Sequence, residues 1–72
     1  SVSVNLIEDQ ILLVNLLKNT NMIASVSEGS RLIKQGGIKI NSEKVDDPKL
    51  SISSGTENIY QVGKRKFLKI KT

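Results

Sequence analysis

The apolar residues near the start of the chain recur at the spacing of an α-helix. Residues that line one helical face lie three, four or seven positions apart, and two sets meet this condition: Leu6, Leu13, Leu16 and Leu17 in one, and Ile7, Ile11 and Val14 in the other. Asn5 and Glu8 have the spacing of a capping box, which predicts that the helix begins after Asn5. The polar run at 19–21 predicts its end, because short polar side chains compete for backbone hydrogen bonds.

A second, shorter helix is indicated after residue 24. Ser25 and Glu28 repeat the capping-box spacing, and Leu32 with Ile33 supplies an apolar side. The pair Gly36–Gly37 predicts the end of this helix, because glycine readily adopts the left-handed backbone conformation found after a helix C-terminus.

Beyond residue 37 the period of the apolar residues changes from near four to two, which is typical of strands. Ile38 and Ile40 flank Lys39, a turn follows at 41–43, and an extended segment restarts at 44–45. A turn at 46–48 precedes a brief extended stretch at 50–52. The pattern then predicts a hairpin, 58–62 with 67–70, around residues 63–66. We expect Phe67 in the core, whereas Tyr60 suits either the core or the surface.

The order of these elements predicts an α+β fold: two packed helices, then a small curved antiparallel or mixed sheet that ends in a C-terminal hairpin. At 72 residues the chain holds one small domain with little room for a catalytic cleft. It has no Cys and no His, which excludes thiol catalysis, disulfides, zinc fingers and imidazole chemistry. We therefore expect no enzymatic activity in this chain. No apolar segment approaches the roughly 20 residues of a membrane span, so we expect no membrane partner.

Charge is distributed unevenly along the chain, whose formal net charge is +4. Residues 1–30 carry one cation and three carboxylates, a net −2, whereas residues 31–72 carry ten cations and four carboxylates, a net +6. This gradient fits either a polyanionic partner or a basic surface that keeps the domain soluble. Half of the ten cations lie in the last nine residues: Lys64, Arg65, Lys66, Lys69 and Lys71.

Residues 24–45 carry an ordered set of positions that is characteristic of one family. The pattern Ser-x-Ser-x-Ala-x-x-Leu-Ile-x-x-Gly-x-Val-x-Val-Asn-Gly is matched at Ser25, Ser27, Leu32, Ile33, Gly37 or Gly36, Ile38, Ile40 and Asn41. In these residues the chain resembles the RNA-binding domain named after ribosomal protein S-four (the alpha-L motif). The segment 63–67 is similar to the C-terminal end of bacterial tyrosyl-tRNA synthetases. The resemblance predicts a domain over residues 10–72, preceded by a lead-in at 1–9 from an absent upstream domain.

The resemblance implies a fold and a function. In that family, two helices pack on a small curved sheet and bind structured RNA along the second helix and the loop after it. In the synthetases the domain resembles an appendage that holds tRNA(Tyr) while a separate Rossmann-type domain performs ATP-dependent aminoacylation. The nucleotide-binding signatures of that enzyme do not occur here, so the resemblance implies no cofactor in this domain and ATP in the parent enzyme. It also implies the parent's catalytic domain as a partner, a homodimeric parent and a cytoplasmic location.

The residue types themselves suit an RNA interface, with a structural alternative at several positions. Serine hydroxyls and free N–H groups at the start of the second helix suit a phosphate, or the serines only cap the helix. Cations on that helix, on alternate strand positions and at the hairpin tip suit phosphates, or they form a solvated surface. Asn41 reads RNA or only tolerates the turn, and we favour the turn. The candidate RNA-binding residues are Ser25, Ser27, Arg31, Lys34, Lys39, Asn41, Lys44, Lys64, Arg65 and Lys66.

Some residues depart from the family pattern. Val26 and Ser30 stand where relatives often carry cations, which predicts fewer phosphate contacts on the second helix. Gly29 stands where alanine is usual, and glycine inside a helix costs about 1 kcal/mol relative to alanine. Ser42 replaces the usual turn glycine, so Asn41 is expected to take any positive φ.

Two further functions stay open on the sequence alone. The first is an rRNA-binding module of a ribosome-associated factor or a pseudouridine synthase. The second is a protein-interaction domain whose basic tail meets an acidic partner or the parent's own catalytic domain. With two aromatic residues and no aromatic RNA-binding motif, we expect any RNA recognition to rely on shape and phosphates rather than on stacked bases.

Overall fold

The computed structural model describes residues 1–72 and combines two short helices with two sheets. The five-stranded sheet has the order β1-β7-β6-β3-β4, in which only the β1–β7 pair is parallel, and β2 with β5 forms a separate antiparallel pair. The predicted α+β class, with packed helices, a mixed sheet and a C-terminal hairpin, is confirmed. The elements are β1 (Val2–Ser3), β2 (Gln10–Leu12), α1 (Leu13–Asn19), α2 (Val26–Lys34), β3 (Ile38–Ile40), β4 (Glu43–Lys44), β5 (Ser51–Ser53), β6 (Glu57–Val62) and β7 (Lys66–Lys71).

The predicted start of the first helix is wrong. α1 begins at Leu13, without a side-chain cap, and Asn5 lies outside it. Residues 10–12 instead form β2, whose pairing with β5 is continued by a hydrogen bond from the Leu13 N–H to the Leu50 carbonyl at 2.8 Å. The apolar run at 11–17 suits both a strand and a helix, and this tertiary pairing outweighs the local capping signal. Ile7, placed on the helical stripe by its spacing, is fully exposed.

The predicted ends of the helices are confirmed. Thr20 ends α1 and donates its hydroxyl proton to the Leu16 carbonyl at 2.9 Å, and Asn21 follows with a φ of 63°. α2 ends at Lys34, and Gly36 takes the left-handed conformation with a φ of 74°. At the start of α2, the Ser25 hydroxyl accepts a hydrogen bond from the Glu28 N–H at 3.1 Å. Such a cap stabilises a helix by about 1 kcal/mol.

Residues 1–9 contribute one short strand to the main sheet. Val2 pairs with Ile70 and Ser3 with Lys71, and the Val4 N–H donates to the Lys71 carbonyl at 2.9 Å. The boundary at residue 10 remains a prediction, but these contacts attach residues 2–4 to the edge of the sheet. No helix in the structure has the length and apolarity needed to cross a membrane.

The expectation that Phe67 lies in the core is wrong, and Tyr60 takes that place. Tyr60 is fully buried, whereas 59% of Phe67 is exposed. Tyr60 pairs with Leu68 and Gln61 with Phe67, so the alternation of side chains along the hairpin turns Phe67 away from the helices. The core consists of Leu13, Val14, Leu16, Leu17, Met22, Ile23, Ile33, Ile38, Val45, Ile52, Tyr60, Val62 and Ile70.

The turn between β3 and β4 places two residues in the left-handed region. Asn41 has a φ of 50° and Ser42 a φ of 72°, so the expectation that Asn41 alone takes a positive φ is wrong. Two residues of positive φ are the requirement of a two-residue hairpin turn whose twist matches the strands. Asparagine tolerates this conformation, whereas serine does so with strain.

The Asn41 side chain connects this turn to the central strand. Its Oδ1 accepts from the Ile59 N–H at 2.9 Å, and its Nδ2 donates to Asn58 Oδ1 at 2.9 Å. Asn58 Nδ2 in turn donates to the Tyr60 hydroxyl at 3.2 Å. Burial raises the pKa of Tyr60 above its ordinary value of 10.0, and the hydrogen bond from Asn58 lowers it by less. The folded state thus favours the protonated phenol, so this contribution to stability is complete below pH 10 and falls above it.

Gly29 lies on the side of α2 that packs against α1 and the buried side chain of Ile23. A Cβ at this position would lie 2.6 Å from Ile23 Cδ1 and 2.9 Å from Val14 Cγ1. Val14 is buried on α1, and a β-branched side chain in a helix has one strongly preferred rotamer, so it cannot easily turn away. The unfavourable helix propensity of glycine is therefore offset by a close helix crossing that alanine would disturb.

We expect Gly29→Ala to destabilise the domain by about 1 kcal/mol. The added methyl group overpacks the crossing, which costs roughly 1–3 kcal/mol, while the gain in helix propensity is about 1 kcal/mol. Val14→Ala removes the Cγ1 atom at 2.9 Å and leaves space into which the flexible end of Ile23 can move, so Gly29→Ala should cost less in that background than in the unmodified chain. Urea unfolding of the four proteins in this double-mutant cycle measures the coupling. Strictly additive effects would contradict the close contact.

We expect Asn41→Ala to destabilise the domain by about 2–3 kcal/mol. It removes two side-chain hydrogen bonds, each contributing roughly 0.5–1.5 kcal/mol, and a residue that tolerates positive φ. Asn41→Gly keeps the turn conformation and should destabilise the domain by less than Asn41→Ala does. Ser42→Gly relieves a strained φ in the same turn and should stabilise by about 0.5–1 kcal/mol. The three midpoints of urea unfolding test this order, and an Asn41→Ala midpoint equal to that of the unmodified chain would refute it.

Candidate nucleic-acid interface

A groove of about 420 Å³ separates α2 from the turn between β6 and β7. We call this turn, residues 63–65, the hairpin tip. Its position is fixed by the Gly63 N–H, which donates to the Gly37 carbonyl at 2.7 Å and so joins the tip to the loop after α2. Gly63 has a φ of 68°, a conformation that glycine adopts without strain. The groove is lined by Met22, Glu28, Leu32, Val62, Gly63, Lys64, Arg65 and Lys66.

A second concave site lies at the start of α2 and adjoins this groove. It is lined by Ser25, Ser27, Glu28 and Arg31, so Glu28 belongs to both sites. The Ser25 hydroxyl oxygen accepts the hydrogen bond that caps the helix, which is the structural role considered for this serine in the sequence analysis. Its proton remains available to an acceptor. Ser27 is exposed on the first turn of the helix. The two sites together form one continuous surface from the start of α2 to the hairpin tip, which we call the α2–tip surface.

The cations of the α2–tip surface have no carboxylate partner. The one ion pair in the structure joins Lys69 to Glu57 at 3.8 Å and lies elsewhere. The only acid on the surface is Glu28, and one of its oxygens accepts from the Ala24 N–H at 2.9 Å. The surface therefore presents a net positive charge that the protein itself does not neutralise. Its cations are Arg31, Lys64, Arg65 and Lys66.

Lys66 reaches this surface because of its position in the hairpin. It pairs with Val62, which is buried, so both side chains point to the side of the sheet that carries the helices. Lys64 and Arg65 occupy the turn itself and are exposed. The three cations that are adjacent in sequence thus converge on the same groove as α2.

The other four candidate residues lie outside the α2–tip surface. Lys34 is exposed in the last turn of α2 and lines neither site. Lys39 and Lys44 are cross-strand partners on the face of the sheet that points away from the helices, and the Lys44 side chain passes over Gly36. The polar atoms of Asn41 hold the β3–β4 turn, as described above. Contact between any candidate residue and RNA remains a prediction.

Sequence reasoning missed the groove itself. Met22 and Leu32 form its apolar floor, and Glu28 provides its carboxylate. The capping-box spacing marks Glu28 as a residue at the start of the helix, but no sequence signal shows that the hairpin tip returns to the same helix. That proximity follows from the pairing of β3 with β6, which places Gly37 beside Gly63.

Comparison with known proteins identifies the domain type. The model of the S4 domain family matches residues 11–58. The chain is 54% identical over 69 residues to tyrosine–tRNA ligase 2 of Pseudoalteromonas translucida, a match that covers 94% of this chain and 17% of that ligase. It is 46% identical over 69 residues to the tyrosine–tRNA ligase of Francisella tularensis, a match that covers 93% of this chain and 17% of that ligase.

The tyrosine–tRNA ligase of Colwellia psychrerythraea is 54% identical over 61 residues, which cover 85% of this chain and 15% of that ligase. The chain thus spans about a sixth of the length of these relatives. The S4 match covers α1, α2 and the strands β3 to β5, and it extends into β6. The family inferred from the sequence is therefore confirmed, and the chain belongs to the S4 domain family.

Proposed function

We propose that this chain is the RNA-binding domain of a tyrosine–tRNA ligase and that it holds tRNA(Tyr) while a separate domain performs aminoacylation. The observation that carries this proposal is the α2–tip surface, where four cations without carboxylate partners face one carboxylate. A polyanion supplies the charge that the protein leaves unneutralised. The names of the relatives indicate which polyanion: a tRNA.

The extent of the matches supports a ligase domain in particular. The S4 model ends at residue 58 and leaves the hairpin tip outside. A match that covers 94% of the chain leaves out too few residues to exclude the tip. The tip and the adjacent Lys66 therefore lie within the region that aligns with a tyrosine–tRNA ligase.

The geometry suits the backbone of a folded RNA. The tip cations project into solvent. Ser25 and Ser27 lie at the N-terminal, positive end of the α2 dipole, and Arg31 from the last turn of α2 lines the same concave site. Contacts of this kind position an RNA through its phosphates and shape rather than its sequence. Val26 and Ser30 contribute no charge to α2, so the tip and the adjacent Lys66 carry three of the four cations of this surface.

The catalytic reaction belongs to the rest of the parent enzyme. The chain corresponds to about a sixth of the related ligases, and we place ATP binding and tyrosine activation in the remaining part. The parent's catalytic domain is then a partner of this domain within one protein. We further propose a homodimeric parent in the cytoplasm, where tRNA is aminoacylated for protein synthesis.

The other functions that the sequence left open are less well supported. An rRNA-binding module or a pseudouridine synthase domain would have the same fold, but the relatives described above are tyrosine–tRNA ligases. A protein-interaction domain with a basic tail would use the same cations. RNA binding that is insensitive to charge removal at the tip would favour that alternative.

We expect neutralisation of the tip to weaken tRNA binding and to reduce its salt dependence. The variant Lys64→Gln/Arg65→Gln should bind tRNA(Tyr) roughly tenfold more weakly at low salt, since exposed charge pairs contribute up to about 1 kcal/mol each. Each lost phosphate contact reduces the magnitude of the slope of log K against log salt by about 0.7–0.9, so for two lost contacts it should fall by about 1.4–1.8. Gel shifts across a salt series measure both quantities.

A matched variant controls for net charge. Lys18→Gln/Lys49→Gln removes the same charge from two exposed positions that lie outside the α2–tip surface, and it should bind nearly as tightly as the unmodified chain. An unrelated tRNA tests whether this domain alone prefers tRNA(Tyr). Equal losses in the two charge variants would show that the tip holds no phosphates. Absence of tRNA binding at low salt would contradict the proposed function.

A further inference from the structure

One face of the five-stranded sheet has no helix packed against it. The register of the strands places Lys44, Lys39, Gln61 and Phe67 in one row across β4, β3, β6 and β7. The adjacent row contains Ile59 and Lys69, and the next contains Glu57 and Lys71. We call these eight residues the outer sheet face.

The centre of the outer sheet face is apolar and exposed. Phe67 is 59% exposed and Ile59 48% exposed. The partner of Ile59 is Lys69, two residues beyond Phe67, so the two apolar side chains are diagonal neighbours about 7–8 Å apart. A single exposed apolar residue is common, but an aromatic ring beside a second large apolar side chain is an informative patch in so small a domain.

Lysines surround this apolar centre. The face carries Lys39, Lys44, Lys69 and Lys71 against the single carboxylate of Glu57, a net charge of +3. The Lys69–Glu57 pair is long, at 3.8 Å, and both side chains are half-exposed, so it neutralises the face only weakly. Lysine is depleted at the centres of protein–protein interfaces. An aromatic ring among lysines, of which only Lys69 has an ion-pair partner, is instead the arrangement that binds single-stranded nucleic acid through base stacking and phosphate contacts.

Gln61 adds a polar group beside the ring. Its Nε2 donates to the Gly63 carbonyl at 2.9 Å, which fixes the orientation of the amide. Its Oε1 has no partner in the structure and can accept a hydrogen bond from the N–H edge of a base. Gln61 is the cross-strand partner of Phe67, so a base stacked on the ring would lie next to this acceptor.

We propose that the outer sheet face binds an unpaired nucleobase, stacked on Phe67, of the RNA whose phosphates the hairpin tip and Lys39 hold. This proposal rests on the proposed function, because the tip cations and Phe67 must contact one RNA. Phe67 follows Lys66 directly, and its side chain points to the opposite face of the sheet. An RNA that contacts Lys66 in the groove can therefore pass around the tip and reach Phe67 on the outer sheet face. This proposal also replaces the sequence-based expectation of recognition without stacked bases, which rested on the small number of aromatic residues and the absence of an aromatic RNA-binding motif.

The chain provides a direct spectroscopic test. It contains no Trp, so Phe67→Trp introduces a single tryptophan that keeps an aromatic face at this position. Stacking of a base on the indole should quench its fluorescence, with the same midpoint as a gel shift of the same RNA. Ile7→Trp is the matched control, because Ile7 is fully exposed and contacts neither the outer sheet face nor the α2–tip surface. Its fluorescence should change little.

Affinity measurements separate stacking from simple burial. Phe67→Ala should weaken binding of tRNA(Tyr) by about five- to 150-fold, the range for loss of one base–aromatic stack. Phe67→Leu keeps apolar area without a π-face and should lose nearly as much, while Phe67→Trp should retain binding. A fully paired RNA duplex should not quench Phe67→Trp. Far-UV circular dichroism of each variant confirms that the exposed substitution leaves the fold intact.

The failure of this inference differs from the failure of the proposed function. If Phe67→Trp shifts tRNA in a gel without fluorescence quenching, the stacking proposal is overturned and the RNA-binding function stands. If none of the variants nor the unmodified chain binds RNA, both are overturned. A fluorescence change on addition of the remaining part of the parent ligase, but not of RNA, would identify the outer sheet face as a protein contact and also overturn the proposal.

Discussion

The pairing of β6 with β7 is the constraint on which the rest of the structure depends. β6 lies at the centre of the main sheet, with β3 on one side and β7 on the other. Its register with β7 directs Tyr60 and Ile70 into the core and Phe67 outward. The same register sets the turn at 63–65, and the bond from Gly63 to Gly37 holds that turn beside α2. The hydrophobic core, the basic groove and the outer sheet face therefore follow from one set of strand pairs.

Much of the fold could be predicted because local signals coincide with it. The capping-box spacing at Ser25 and Glu28, the glycines after α2 and the period-two segments each correspond to an observed element. The predictions fail where the conformation of a residue is determined by a segment distant in sequence. The chain at 10–12 has a helical pattern but pairs with β5, and no local signal reveals that partner. Phe67 is a residue type that is common in protein cores. The face of the sheet on which it lies, however, depends on the strand register, which only the β6–β7 pairing defines.

The residues of the candidate site divide in the same way, into those that a local sequence signal indicates and those that only the tertiary structure brings together. The serines at the start of α2, Arg31 and the tip cations come together on one surface, which the family pattern and the charge run indicated separately. Lys39 and Lys44, which sequence reasoning grouped with these residues, lie on the other face of the sheet. The groove is completed by Glu28, Met22 and Leu32. Their part in it could not be recognised from the sequence, because it depends on the hairpin tip lying beside α2. Gly29, which departs from the family pattern, is explained by the close approach of the two helices rather than by function.

The function proposed above requires that an RNA occupy the surface from the start of α2 to the hairpin tip. Amide chemical-shift mapping of the chain during titration with tRNA(Tyr) tests it most directly, because it reports on all elements in one experiment. We expect the largest shifts in two segments, residues 25–31 and 63–67, and no change in the β2–β5 pair. Shifts concentrated on β2 and β5, with the α2–tip surface unaffected, would contradict it.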